Sequence, residues 1–135
     1  MSKVCTRTYY SPKASCSRLE AISVQMVCDS SHVLVGFNNG SLELFSRRDR
    51  HLRRVLFIPN RGRVGRTVTA IDLSPDLIIA GFNDGSVEIR DTSDGHLIIK
   101  PDLGTDDTTW ITGLRLSQCL KSLVVCCNET ILLNR

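Results

Sequence analysis

No apolar run in the sequence approaches the roughly 18–20 residues that span a bilayer. Stretches such as Leu77-Ile78-Ile79-Ala80 are strand-sized. Catalytic signatures are missing as well. There is no G-x-S-x-G elbow, no P-loop, no H-E-x-x-H and no G-x-G-x-x-G. The six cysteines, Cys5, Cys16, Cys28, Cys119, Cys126 and Cys127, form no C-x-x-C pair. None stands at metal-ligand spacing from His32, His51 or His96. These absences predict no enzyme, no resident metal and no cofactor. No secretory apolar segment follows Met1, so the cysteines read as reduced, buried thiols serving as small hydrophobes, and the expected compartment is cytoplasmic or nuclear.

What is present fits one folded domain. With 41% hydrophobic and 23% charged residues, 135 residues are neither disordered nor too short for a core. The net charge of +3 is unevenly placed. Between Arg47 and Arg66 eight arginines face Asp49 alone, a local +7 that leaves −4 for the rest of the chain. One basic segment on a mildly acidic body differs from the general basicity of a nucleic-acid binder.

The first twenty residues read as a separate N-terminal strand or loose tail. Val4 to Tyr10 favours a strand and Pro12 breaks any helix. Lys3, Arg7, Lys13 and Arg18 among many Ser and Thr also resemble a targeting segment.

Residues 21–135 are organised by an internal repeat. Val33 to Leu44 reads VLVGFNNGSLEL, and Ile78 to Ile89 reads IIAGFNDGSVEI, 45 positions later. A weaker third copy runs from Leu123 to Leu133, with Asn128 again 45 positions beyond Asn83. Asn39-Gly40 and Asp84-Gly85 are hairpin signals, since primed turns need positive φ at both central residues. Leu42 and Leu44 alternate with Ser41 and Glu43, and Val87 and Ile89 alternate with Ser86 and Glu88, which predicts half-buried strands. Gly36 and Gly81 are expected where packing leaves no room for a Cβ. Further strands are expected over Ile22 to Cys28, His51 to Ile58, Val68 to Leu73, His96 to Ile99 and Trp110 to Leu116. The predicted class is all-β, in units 21–65, 66–108 and 109–135.

The second unit resembles a WD40 repeat. It has opening apolar alternation from Val68, Ser74-Pro75-Asp76, Gly81, the Asp84-Gly85 turn and a terminal Asp91. The resemblance covers about Ile22 to the C-terminus. It implies a β-propeller of about three four-stranded antiparallel blades, with the N-terminal strand completing the third. Propellers close with typically about 4–8 blades, so it also implies a partial ring finished by another copy, another protein or a longer chain. The family's tryptophan is replaced by Phe45 and Arg90, and its Gly-His pair by Gly65-Arg66, so its buried Asp–His network is not expected here.

The resemblance implies a protein–protein interaction scaffold or adaptor. The residues singled out for partner binding are Arg47, Arg48, Arg50, Arg53 and Arg54, whose planar forks suit carboxylates and phosphates. Three readings stand for this cluster: a solvated edge that deters aggregation, a site for an acidic or phosphorylated protein, or a site for nucleic acid or anionic lipid extending through 47–66. No aromatic interrupts Arg47 to Arg54, whereas RNA binders usually add stacking platforms. Unit two has Thr92, Ser93, Asp94 and Gly95 in place of Arg47, Arg48, Asp49 and Arg50, so the fold does not demand cations at this turn. Arg61 to Arg66 reads as a flexible connector, Asp106-Asp107 as a solvated turn rather than a cation site, and Trp110 as core or edge packing rather than a ligand platform.

Overall fold

The computed structural model describes residues 23–48, 51–62, 64–103, 109–117, 122–127 and 130–134. The described residues contain eleven strands and no helix. Four form the first sheet: β1 (Ser23–Cys28), β2 (His32–Phe37), β3 (Leu42–Arg48) and β4 (His51–Ile58). The second holds β5 (Val68–Leu73), β6 (Leu77–Phe82), β7 (Val87–Asp91) and β8 (Leu97–Ile99). The third holds β9 (Ile111–Leu116), β10 (Leu123–Cys127) and β11 (Thr130–Asn134). Neighbours in each sheet are consecutive and antiparallel. The proposed N-terminal strand, the Asn128-Glu129 stretch of the third hairpin and Asp106-Asp107 lie outside the described residues.

The two strong turns form, but one residue earlier than the primed reading expects. Gly40 N–H donates to the Phe37 carbonyl at 3.0 Å, so Asn38 and Asn39 are the central pair and Gly40 follows them at φ 83°. Gly85 repeats this on Phe82, with the same φ. This is the three-residue type, in which a left-handed glycine closes the loop. Asn39 Oδ1 then accepts from Ser41 N–H at 3.0 Å and from its hydroxyl at 2.6 Å. Asp84 does the same for Ser86 at 3.0 and 2.5 Å.

The sheets pack in series. Leu34, Leu42, Leu44 and Ile58 of the first meet Val68, Ile78, Ala80 and Phe82 of the second. Ala70, Ile79 and Val87 of the second meet Ile111, Leu114, Leu123, Val125 and Cys127 of the third. Strand β5 packs against β1 on one side and β9 on the other. The repeated glycines lie at these joints. A Cβ on Gly36 would stand 2.5 Å from Val68 Cγ1, and one on Gly81 would run into Ile111 Cγ2. Glu88 is buried because the second sheet is covered on both sides. Ser41 and Glu43 are buried in the first sheet, whose other face carries its own cluster of Cys28, Val33, Val35, Phe37 and Phe45, with Arg54 beside Glu43. Both findings correct the half-buried reading of β3 and β7. Trp110 is exposed rather than part of the core.

A polar tie also crosses a joint. Buried Asp72, on β5, accepts the Leu116 N–H of β9 at 2.8 Å through Oδ2. Replacing Asp72 with Ala leaves that part-buried donor without its acceptor. The expected loss is about 1–3 kcal/mol, measured by chemical denaturation. A loss within experimental error would show that water replaces the carboxylate.

Candidate functional site: an arginine groove beside a buried ion network

The arginines of the sequence cluster divide between the two faces of the β3–β4 hairpin. Register pairs Ser46 with Arg53, Arg47 with Leu52 and Arg48 with His51. Successive side chains alternate, so Ser46, Arg48, His51 and Arg53 share one face. With Val55 they line a groove of about 380 Å³. A register shift between Leu44 and Phe45 leaves Val55 as the extra residue beside this face.

Arg47 and Arg54 point the other way. Arg47 Nη1 donates to the Asp29 carbonyl at 3.1 Å. Arg54 Nη1 lies 3.8 Å from Oε2 of fully buried Glu43, and its guanidinium sits 5.5 Å from the Phe57 ring centre. The structure therefore brings Arg48 and Arg53 together and turns Arg47 and Arg54 away from them. Arg50 lies outside the described residues. His51 and Ser46 join the site although composition did not single them out; their place follows from the hairpin register.

A second cluster lies at the first joint. Arg66, 4% exposed, is pinned rather than part of a flexible connector. Its Nη2 donates to Glu88 Oε2 at 2.9 Å and to the Ser86 hydroxyl at 2.8 Å. Its Nε lies 3.3 Å from Asp84 Oδ2, an ion pair bent too far for a hydrogen bond. The guanidinium stacks 3.4 Å from the Phe82 ring centre. Arg90 completes the chain, donating to Glu88 Oε1 at 3.0 Å and to the Gly95 carbonyl at 2.9 Å. Two cations and two anions balance, as buried charge requires. Arg66 thus partners Asp84 from the loop before β5, in the place where the resemblance has a Gly-His pair.

Burial acts to raise the Asp84 pKa, but the Ser86 hydrogen bonds and the Arg66 and Lys100 charges outweigh it, and the pKa falls below 3.8. A lowered carboxylate contributes stability that is complete above its unfolded value and is lost as pH falls through its folded value. Acid titration of the wild type should therefore show a loss below about pH 3.8 that Asp84→Asn lacks. Parallel acid limbs for the two proteins would contradict this.

No cluster of three His, Cys, Asp or Glu side chains suited to a metal occurs among the described residues. Cys28 and Cys127 are buried, and Cys126 is partly buried. No helix among the described residues is long and apolar enough to cross a membrane.

No family model matches the chain, and no curated protein matches it. Solved structures do. The computationally designed Ika4 protein superposes with a TM-score of 0.64 at 16% identity, over 82% of this chain and 64% of that one. The computationally designed Ika8 protein gives 0.68 at 16% identity, over 84% of this chain and 33% of that one. The chain thus spans under two thirds of the first and a third of the second. At such identity the likeness is one of fold: an all-β arrangement of antiparallel sheets.

Proposed function

We propose that the chain is a WD40-like set of about three β-propeller blades and serves as a protein–protein interaction scaffold without catalysis of its own. The observation that supports this reading most is where the repeat is kept and where it breaks. The joint glycines, turn residues and strand acids recur at 45 positions, whereas the outer hairpin changes from Thr92-Ser93-Asp94-Gly95 to Arg47-Arg48-Asp49-Arg50. Positions that pack repeat, and the exposed position that varies carries the chemistry for a partner. Blades open at either end of the set would be completed by another copy, a further protein or more chain.

Nucleic acid or anionic lipid held through 47–66 is the competing reading. Cross-linking of the tagged full chain in lysate, with and without nuclease and at low and high salt, separates them. The scaffold reading expects the same set of protein cross-links after nuclease, with those made through the arginine hairpin weakening at high salt. Cross-links that vanish with nuclease, or recovery of bound nucleic acid or lipid in place of protein, would overturn it.

A further inference from the structure

We propose that the groove on the β3–β4 hairpin is a phosphate-monoester site that receives a phosphoserine- or phosphothreonine-bearing segment of a partner protein. The inference rests on the scaffold reading only in taking the partner to be a protein.

The donors share one face of the hairpin. Arg48 faces His51 across the hairpin and Ser46 faces Arg53, so Arg48 and Arg53 are diagonal neighbours on one face. Diagonal side chains on an antiparallel pair start about 7–8 Å apart, within reach of two long arginines closing on one group. Ser46 and His51 occupy the opposite diagonal and line the same groove.

Among the described residues these two cations also lack a counter-ion. Among the described residues Arg54, Arg66 and Arg90 each pair with a buried glutamate, and Arg47 holds a carbonyl. Arg48 and Arg53 have no ion pair with a described residue. The second sheet's equivalent hairpin meets its own needs: Asp91 accepts from Ser93, and Asp94 accepts from His96. On the first sheet's hairpin Arg48 and Arg53 stand without such an acceptor among the described residues.

The ligand's charge follows from the count. One arginine fork satisfies one carboxylate. Two forks, a hydroxyl and an imidazole suit a group with three oxygens and nearly two negative charges, which is a phosphate monoester. The shape argues against a polyanion. Arg47 and Arg54 turn to the opposite face, so the described residues of the hairpin offer a pocket and not a track of cations along a strand. Val55, 45% exposed, supplies an apolar wall for the aliphatic part of the residue. β4 is the outer strand of its sheet, along which an extended segment can lie.

The test titrates the full chain by NMR with the capped peptide Ala-Val-pThr-Val-Ala, its unphosphorylated twin and its Glu twin. Inorganic phosphate, a thymidine oligonucleotide and phosphatidylserine vesicles are the other probes. The expected result is phosphopeptide binding that shifts amides of Ser46 to Val55. The Glu twin binds about tenfold weaker and the plain twin not at all. Arg48→Ser and Arg53→Ser should each cost about tenfold in affinity with unchanged folding, while Arg115→Ser costs nothing. Equal affinity for both phosphorylated and plain peptides overturns the proposal, as does affinity that survives both substitutions. Inorganic phosphate binding as well as the peptide overturns the protein segment, and tighter binding of the oligonucleotide or vesicle through the same arginines replaces it with a polyanion. The two readings fail separately: protein cross-links that persist in the Arg48→Ser/Arg53→Ser chain keep the scaffold even if the peptide does not bind.

Discussion

Replacing Arg66 with Ala should cost the fold about 3 kcal/mol, the low end of what breaking a buried ion pair costs. The loss comes less from the missing attraction than from what remains. Glu88 Oε2 and the Ser86 hydroxyl lose their donor inside the first joint, Asp84 loses its counter-charge, and the Phe82 ring loses the guanidinium stacked on it. Two features keep the cost from the upper end. Arg90 still holds Glu88 Oε1, and the Asp84 side chain retains 19% exposure. Against a typical total stability of about 5–15 kcal/mol, this loss is large enough to read directly in a denaturant midpoint. The paired change Arg66→Ala with Glu88→Ala should be less costly than the sum of the single changes, because it removes the orphaned anion with its partner. Additive losses, or a single loss below about 1 kcal/mol, would show that water solvates the site.

Gly81→Val should be at least as damaging. Its Cβ would stand 2.8 Å from Ile111 Cβ and closer still to Cγ2, and its own branches would add to the overlap. Ile111 is β-branched, fully buried and set beside its own backbone, so it cannot swing aside. The second and third sheets must separate instead. Overpacking of this kind costs about 1–3 kcal/mol, and here the lost joint adds to it. The chemistry of the substitution is controlled by Gly113, where an added Cβ would meet only Cys126 at 3.5 Å, an ordinary contact. Gly113→Ala should therefore change stability little. Equal losses at Gly81 and Gly113 would mean that glycine is retained for backbone reasons and not for the close approach of sheets.

The strands were legible because turn chemistry and alternation are local. Residues flanking Asn39-Gly40 and Asp84-Gly85 had to form hairpins, and the 45-residue offset carried the reading from one sheet to the next. Burial was less legible. Glu43 and Glu88 alternate with aliphatic residues and so read as solvent-facing, yet the second sheet lies between two others and the first carries an apolar cluster on its second face as well. Their recurrence at one offset was the available signal that they serve the repeat. The role of Arg66 is hidden for a related reason. It reaches Asp84 and Glu88 across 18 and 22 residues, a distance no short spacing records, and a resemblance that asks for histidine does not suggest arginine. The arginine cluster was visible as composition, but only the hairpin register separates Arg48 and Arg53, which share a groove, from Arg47 and Arg54, which do not. Cys126 stands where Gly36 and Gly81 stand in the other copies, and no described strand covers it as β9 covers Gly81. The restriction relaxes where the close approach is absent.

The account depends most on sheets joined in series at repeated glycines. A methyl-resolved NOE spectrum of the full chain measures that contact directly. Strong cross-peaks are predicted from Gly36 Hα to the Val68 γ1 methyl and from Gly81 Hα to the Ile111 γ2 methyl, across both joints in one experiment. Their absence, with the strands themselves intact, would contradict the serial packing.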